Sequence, residues 1–259
     1  MAGLRDASTA AGERIAVLDA ELAETQATLD DLLLRIPNPP DPDIPVGGEE
    51  ANITIRTWGE ILAHAEPVAG EVGADAPAGG VTWTRRPHWE LGESLDILDN
   101  ARGAKIAGSG FPVYKGAGSA LQRGLINWFL DVHTREHGFT EVWPPAVVNA
   151  DSARGTGQIP DKEDQMYVVT RDDLYLVPTA EVPVTNLHRD EIFEATDLPI
   201  RYAAYSPCFR REAGAAGKDT RGILRVHQFD KVEMVLFEKP ENSPEALEWM
   251  TSRAEVLLQ

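Results

Sequence analysis

Arginine, glutamate, histidine and phenylalanine recur two residues apart in a segment near the C-terminal end, residues 205–233. Two predicted strands, 203–212 and 223–234, flank a loop rich in glycine and alanine there. Because side chains two residues apart on a strand point the same way, Arg210 and Glu212 share one face. The residues that share a face on the return strand are Arg225, His227, Phe229, Lys231 and Glu233.

A face of this composition suits a flat, charged ligand. Arginine binds phosphate oxygens in a fork, an aromatic ring stacks on a base, and a carboxylate accepts hydrogen bonds from an exocyclic amine. The spacing alone supports a nucleotide site and a solvated hairpin with surface ion pairs equally. The loop between the strands is long for a hairpin, which favours a functional role.

The exact order of residues in this segment favours the nucleotide site. Residues 209–212 (FRRE), the glycine-rich loop and residues 225–234 (RVHQFDKVEM) closely resemble motif 2 of class II aminoacyl-tRNA synthetases, in the form of the seryl-tRNA synthetase family. The resemblance implies that Arg210 is catalytic and binds the ATP α-phosphate, and that Glu212 binds the adenine amine. Val226 and Phe229 complete the implied ATP site. The implied contacts of the loop with the tRNA acceptor end are Lys218, Asp219 and Arg221.

A second segment, LYLVPTAEVPV (residues 174–184), passes from a predicted strand into a predicted helix. One interpretation is structural, with Thr179 as the helix N-cap and Glu181 in the positive first turn. The other is functional, because Thr-Ala-Glu at this place resembles the serine-binding signature of the same family. The resemblance implies that Thr179, Ala180, Glu181 and Glu233 bind L-serine. A pocket that hydrogen-bonds the serine hydroxyl would reject alanine well.

A predicted helix over residues 117–137 carries an apolar stripe and stops at Gly138. The strand predicted to follow it, FTEVWPPAVVN, covers residues 139–149. Gly138 and Pro145 resemble motif 1 of class II synthetases, which implies a homodimer built on this motif.

Apolar residues alternate four and three apart along residues 4–36, as in a coiled-coil helix that ends before Pro37. In the resembled family, a two-helix arm of this kind binds tRNA. Residues 1–36 are therefore predicted to form a partial tRNA-binding arm, the returning helix only. The alternatives are that the seam packs on the body of the protein or on a second chain.

The remaining chain is predicted to form a linker and loop over residues 37–80, then a class II catalytic core over residues 81–259. The linker contains a predicted strand, 52–58, and a loop, 68–80. In the core we predict a strand over 108–116 and a last helix with Ser243 as N-cap. The fold class is α+β, a class II synthetase-type antiparallel sheet flanked by helices, with an N-terminal coiled-coil arm helix. Motif 3 is absent from residues 81–259, so we expect an incomplete copy, truncated at both ends.

Composition narrows the class of protein. The formal net charge is −18, yet residues 201–233 hold 7 basic and 4 acidic side chains, whereas residues 1–100 hold 6 and 19. Basic charge is thus concentrated on the predicted hairpin, as a nucleic-acid contact requires. The sequence has no apolar run long enough for a membrane span and no signal-peptide pattern, so a cytoplasmic location is expected. A single cysteine, Cys208, excludes an internal disulfide.

The resemblance implies a serine–tRNA ligase, which activates L-serine with ATP to seryl-adenylate and transfers it to tRNA(Ser). ATP and Mg²⁺ are the implied cofactors, although no metal ligand is identifiable in the sequence. Two alternatives stay open: a catalytically inactive protein that binds ATP or an adenylate, and a ligase that loads an amino acid onto a carrier protein. The predicted arm helix argues against the carrier-protein ligase, since an arm serves tRNA.

Overall fold

The computed structural model describes residues 2–59, 67–70, 81–84, 86–213 and 222–259. The chain divides into two compact units, residues 1–58 and residues 59–259. The motif 2 loop residues Lys218, Asp219 and Arg221 lie outside the described residues. No helix in the described ranges is both long and apolar enough to cross a bilayer.

The first unit is dominated by one long helix, α1 (Ala2–Leu34). This confirms the helix predicted over residues 4–36, with bounds two residues earlier at each end. The leucines and isoleucines of its seam are exposed to solvent. A short 3-10 turn, Glu49–Ala51, follows. The strand predicted over residues 52–58 is wrong, because this segment forms no ladder with a neighbouring strand.

The second unit begins with the antiparallel strands β1 (Pro67–Gly70) and β2 (Val81–Thr84). The loop predicted over residues 68–80 therefore starts inside a strand, and its remainder, 71–80, lies outside the described residues. Two short helices follow, α2 (His88–Ser94) and α3 (Asn100–Ala107).

Residues 108–116 form no strand, so the strand predicted there is wrong. Its one β-bridge is isolated and joins Leu98 to Tyr114, while the Val113 carbonyl accepts from the Asp99 N–H at 2.8 Å and the Gly110 carbonyl accepts from the His227 N–H at 2.8 Å. Gly108 and Gly110 have φ angles of +102° and +83°. These angles turn the chain out of the extended conformation that a strand needs.

The central sheet has the strand order β3–β7–β8. Strand β3 (Thr140–Val142) runs parallel to β7 (Ile200–Phe209), which pairs antiparallel with β8 (Gln228–Phe237). The sheet is thus mixed at β3 and antiparallel in the hairpin. Helix α4 (Ala117–Arg135) packs against both hairpin strands and confirms the helix predicted over 117–137. Gly138 ends it with φ +74°.

The predicted bounds of the hairpin strands are wrong at the loop side. Strand β7 ends at Phe209 instead of residue 212, and β8 begins at Gln228 instead of residue 223. Glu212 has φ +48°, which breaks the extended path before the loop. Arg210 adds one more backbone bond beyond the strands, from its N–H to the His227 carbonyl at 2.9 Å.

A second, antiparallel sheet has the order β4–β6–β5, from β4 (Val147–Asn149), β6 (Leu174–Leu176) and β5 (Val168–Val169). The single strand predicted over residues 139–149 is therefore two strands in different sheets. Pro144 and Pro145 separate them, since proline has no N–H to donate to a ladder. Helices α5 (Ala150–Gly155) and α6 (Glu181–Thr185) flank this sheet. Its core contains Val148, Met166, Val177 and Val182.

The last helix is α7 (Ser243–Val256), as predicted, but Asn242 and not Ser243 stands at its N-cap position. Pro244 occupies the first turn, where its missing N–H costs no hydrogen bond. Trp249 of α7 stacks on Phe139, with ring centroids 5.6 Å apart. The helix is thereby fixed beside the residue that follows Gly138.

Candidate active site

One face of the β7–β8 hairpin gathers the charged residues singled out by the sequence. The register pairs Ala204 with Glu233, Ser206 with Lys231 and Cys208 with Phe229. Lys231, Glu233 and Phe229 therefore project from alternate positions of one strand, opposite small residues of the other. Small residues opposite long ones leave space above the sheet. The predicted shared face is confirmed for these three side chains, whereas Arg225 lies outside β8.

Thr179 reaches this face from the segment just before α6. Its hydroxyl donates to Glu233 Oε2 at 2.9 Å and accepts from Lys231 Nζ, also at 2.9 Å. Lys231 forms an ion pair with the same carboxylate oxygen. Thr179 is buried, and its two partners keep 32% (Lys231) and 20% (Glu233) of their side chains exposed. The three polar groups satisfy one another beside an open cavity that Thr179 and Lys231 line.

The N-cap prediction for Thr179 is wrong in its detail. Ala180 stands at the N-cap position of α6, and no side chain caps the helix. The Thr179 hydroxyl lies 3.4 Å from the Glu181 N–H, too far for a strong bond. The hydroxyl is committed instead to Glu233 and Lys231, so the polar function of Thr179 is directed toward the pocket. Ala180 is fully buried, and Glu181 is exposed.

Arg210 lies just beyond the end of β7. Its Nε donates to the Pro178 carbonyl at 3.2 Å, and its guanidinium carbon lies 5.1 Å from the centre of the Phe229 ring. Cation–π contact of this kind orients the guanidinium. The backbone at Arg210 is also held in place. His227 Nδ1 lies 3.0 Å from the Arg210 carbonyl oxygen and 3.1 Å from the Tyr167 hydroxyl. Arg210 is therefore positioned before any ligand is bound.

Glu212 is the next charged residue on this side of the chain. Its carboxylate accepts from Arg225 Nη1 at 3.3 Å. The contact is long, and nearly half of the Arg225 side chain is exposed, so little energy is needed to replace it. The carboxylate is available to a ligand donor.

Two cavities open on this face and meet at Arg210 and Glu212. The first has a volume of about 380 Å³, and its charged lining residues are Lys162, Glu181, Arg210, Glu212 and Lys231. The second, of about 390 Å³, is lined by Val226, Phe229, Leu224 and Arg225 in addition to the shared pair. Thr179 also lines the first cavity. The arrangement offers a polar, charged pocket and a partly apolar pocket with a guanidinium between them.

The structure places most of the predicted site residues at these two cavities. Thr179, Glu181, Arg210 and Glu212 line the first, and Val226 and Phe229 line the second with the shared pair. Glu233 joins through Thr179. Gly138 and Pro145 line neither cavity; they lie at the end of α4 and between β3 and β4.

The sequence predicts no site role for four polar residues that line the first cavity: Gln158, Lys162, Gln165 and Lys231. Lys231 had a usable signal, since it stands between Phe229 and Glu233 at the period of a strand. Gln165 shapes the start of the motif 2 loop by accepting from the Ala213 N–H at 3.1 Å and, through its carbonyl, from the Arg211 N–H at 2.8 Å. These loop contacts are set by tertiary structure and leave no local pattern.

The opposite face of the hairpin is satisfied internally. Tyr205 donates to Asp230 Oδ1 at 2.8 Å, and Gln122 of α4 donates to Asp230 Oδ2 at 2.9 Å. Burial, together with this bond, raises the pKa of Tyr205 to about 12. On the site face, where Cys208 pairs with Phe229, burial raises the pKa of the Cys208 thiol to about 11, so the thiol is protonated at neutral pH. Among the described residues, no group of three His, Cys, Asp or Glu side chains is placed to hold a metal ion.

Comparison with known proteins agrees with this geometry. Residues 167–259 match the family described as tRNA synthetase class II core domain (G, H, P, S and T). The serine–tRNA ligases of Gemmatimonas aurantiaca and Methylacidiphilum infernorum are 52% and 50% identical to this chain over 250 and 248 residues. Each match covers 96% of this chain and 55% of the relative, so the chain spans about half the length of the curated relatives it matches.

A solved structure gives the same result for the fold. The seryl-tRNA synthetase from Pyrococcus horikoshii, complexed with ATP, superposes with a TM-score of 0.83 at 38% identity, covering 95% of this chain and 56% of that chain. Sequence identity near 50% over 96% of this chain, together with the matching fold, shows that the chain is homologous to about half the length of these seryl-tRNA synthetases, which carry a class II synthetase core.

Proposed function

We propose that this chain acts as a serine–tRNA ligase: it activates L-serine with ATP to seryl-adenylate and transfers the seryl group to tRNA(Ser). The observation that carries the proposal is the pair of cavities that meet at Arg210. One offers carboxylates and a hydroxyl, which an amino acid needs. The other offers an aromatic ring and a carboxylate, which a purine needs. The relatives named serine–tRNA ligase support the assignment.

The first cavity is proposed to hold L-serine. Its α-ammonium needs carboxylate partners, which Glu233 and Glu181 supply, and Thr179 adds a hydroxyl between them. Ala180, the next residue, is fully buried and does not line the cavity. Binding through several hydrogen bonds gives discrimination against analogues that lack a partner group.

The second cavity is proposed to hold the adenine ring, with Phe229 against its face and Val226 at its edge. Glu212 accepts from the exocyclic amine, and Arg210 binds the α-phosphate between the cavities. The Pyrococcus horikoshii relative was solved with ATP, which supports nucleotide binding by this fold. Lys218, Asp219 and Arg221 are proposed to meet the tRNA acceptor end.

In the proposed first step, a serine carboxylate oxygen bonds to the α-phosphorus of ATP, the bond to the bridging oxygen breaks, and pyrophosphate leaves. The carboxylate is already a nucleophile at neutral pH, so the protein need only align the reactants and stabilise charge. Arg210 is positioned to stabilise the charge that develops on the α-phosphate oxygens. In the second step a ribose hydroxyl at the tRNA terminus takes the seryl group, and AMP leaves.

Mg²⁺ is proposed to bind together with ATP. The described residues offer no three-ligand cluster for it. Phosphate oxygens are the hard ligands that Mg²⁺ prefers, so nucleotide phosphates would supply its coordination here.

Helices α1 and α4 are the basis for proposing two macromolecular partners, tRNA and a second copy of the chain. The long helix α1, with its exposed apolar seam, is proposed to be part of an arm that contacts tRNA(Ser). The exposed leucines and tryptophan of α4, Leu121, Leu125 and Trp128, are proposed to face a second copy of the chain in a homodimer built on motif 1. A cytoplasmic location is proposed, as for a protein that works on tRNA.

Serine-dependent exchange of pyrophosphate into ATP by residues 1–259 tests the proposal directly. We expect exchange that needs serine and that alanine and threonine do not replace. Charging of tRNA(Ser), with an acyl carrier protein as the competing acceptor, then separates a tRNA ligase from a carrier-protein ligase. A folded sample that binds ATP without any exchange would favour the inactive ATP-binding protein instead.

A further inference from the structure

The proposed reaction assigns no role to Lys231, although its ammonium contacts two of the proposed serine-binding groups. Its ammonium donates to Thr179 Oγ1 at 2.9 Å and pairs with Glu233 Oε2, the two groups proposed to receive the amino acid. Thr179 at the same time donates to that carboxylate oxygen at 2.9 Å. A positively charged nitrogen of this chain therefore already sits on the acceptors that a ligand ammonium requires.

Two ammonium groups cannot share one carboxylate oxygen and one hydroxyl at hydrogen-bonding distance, because like charges repel strongly at that separation. An amino acid whose ammonium takes Glu233 Oε2 and the Thr179 hydroxyl must therefore displace Lys231. Exchange of one ammonium for another keeps the half-buried Glu233 carboxylate paired throughout, which avoids the penalty of an unpaired charge. The lysine stem is long and flexible enough to withdraw its charged end.

The surroundings determine where the displaced charge goes. Lys231 lines the first cavity together with Arg210. The groups that arrive in this cavity with the substrates are anionic: the amino acid carboxylate and the nucleotide α-phosphate. A lysine released from Glu233 stays within the same cavity, where those anions join the lining carboxylates Glu181 and Glu212 as its available partners.

We propose that Lys231 is a positioning residue that acts as an internal substitute for the substrate amine. In the empty pocket it holds Thr179 and Glu233 in place; when serine binds, the α-ammonium replaces it and its charge transfers to the anionic reacting groups. This inference rests on the proposed function of the site. It predicts that serine and ATP bind with positive coupling, because serine releases a cation for the phosphate, and coupling between ligands is reciprocal.

The test is calorimetric titration of residues 1–259 with serine, with a non-hydrolysable ATP analogue, and with each in the presence of the other. In the unmodified chain we expect each ligand to tighten the other by about fivefold or more, the lower range of measured couplings. In Lys231→Met we expect serine alone to bind severalfold tighter, because no internal ammonium competes, and the coupling to disappear.

Lys162→Met is the matched control. Lys162 lines the same cavity and carries the same charge, so its removal lowers the positive potential without vacating the Thr179–Glu233 position. We expect this variant to retain the coupling and not to bind serine more tightly. Lys231→Arg keeps a cation at the position and is expected to bind serine no more tightly than the unmodified chain. Circular dichroism establishes that each variant is folded.

If Lys231 only supports the structure, the change in serine affinity in Lys231→Met has the opposite sign. Loss of a supporting contact would weaken serine binding in Lys231→Met, and that result, or unchanged coupling, overturns the inference while leaving the proposed function standing. If Lys231→Met does not fold, tighter serine binding by Lys231→Arg overturns it, and coupling retained with unchanged serine affinity supports it. Failure of the unmodified chain to bind either ligand refutes the proposed function and the inference with it.

Discussion

The guanidinium of Arg210 lies over the ring of Phe229, with its central carbon 5.1 Å from the ring centroid. The contact follows from the hairpin register, which pairs Cys208 with Phe229 and so brings the residue two positions beyond Cys208 alongside the ring. It joins the two cavities of the site, because both residues line the second cavity and Arg210 also lines the first. The position of Arg210 between the two cavities, which are proposed to hold adenine and serine, is thus a property of strand pairing.

Replacement of Arg210 by alanine should abolish most adenylate formation and keep the fold. The removed guanidinium is the group positioned to stabilise charge on the α-phosphate, and loss of one such contact typically slows a reaction by ~10²–10³-fold. Serine-dependent pyrophosphate exchange measures the effect. The neighbouring Arg211→Ala is the control, since the Arg211 side chain contacts the Asp164 carbonyl outside the cavities. Equal losses in both variants would contradict the role of Arg210.

Local sequence patterns were sufficient for the elements that depend on local physics. The seam of α1 and the apolar stripe of α4, with its Gly138 stop, each predicted a helix within two residues of its observed bounds. Strand bounds failed because they depend on partners. Pro144 and Pro145 divide residues 139–149 between two sheets, and the choice of sheet is made by β6 and β7, which come later in the chain.

The site was predictable where residue type and strand period agree. Arg210, Phe229 and Glu233 follow from the hairpin, and Thr179 from its resemblance to a signature. The role of Lys231 did not follow, because lysine two residues before a glutamate on a strand is also the pattern of a solvated face. Its partner Thr179 stands 52 residues away, on a segment that only the tertiary fold brings to the hairpin.

Glu233→Gln should weaken serine binding and leave ATP binding largely unchanged. The change removes the negative charge that pairs with an ammonium, and a hydrogen bond to a charged group contributes about 1.5–3 kcal/mol, equivalent to roughly tenfold or more in affinity. The measurement is the KM for serine in pyrophosphate exchange beside direct titration with ATP. Glu241→Gln, on the exposed turn before α7, is the matched control. A parallel loss of ATP affinity would count against a pocket specific for the amino acid.

Leu121→Glu should convert the proposed homodimer to monomers. Leu121 is 60% exposed on α4, next to the exposed Leu125 and Trp128. Burial of a leucine contributes about 1.5–3 kcal/mol, a symmetric interface buries it twice, and a carboxylate there adds a desolvation cost. Sedimentation equilibrium measures the association. Leu258→Glu places the same change at a more exposed leucine beyond α7 and should leave the association unchanged. A monomeric unmodified chain would refute the dimer itself.

His133 should make the folded state less stable in mild acid. It is buried at the end of α4, its Nδ1 lies 3.1 Å from that of His137, and Phe139 packs edge-on against its ring. Burial first, and then the neighbouring His137, lower the pKa of His133 from 6.5 to about 4. Burial and the charge of Arg253 on α7 also lower the pKa of His137, which Glu136 opposes.

The direction of the pH effect follows from which state binds the proton. Between pH 6.5 and about 4 the unfolded chain protonates His133 and the folded chain does not, so the free energy of unfolding falls as the pH falls through this window. The limiting slope for one proton is about 1.4 kcal/mol per pH unit. His133→Gln has no titrating group there, so its urea-unfolding free energy should depend less steeply on pH between 7 and 5. Parallel pH profiles for the two proteins would show that His133 takes up its proton at the same pH in the folded and unfolded states, contrary to the lowered pKa.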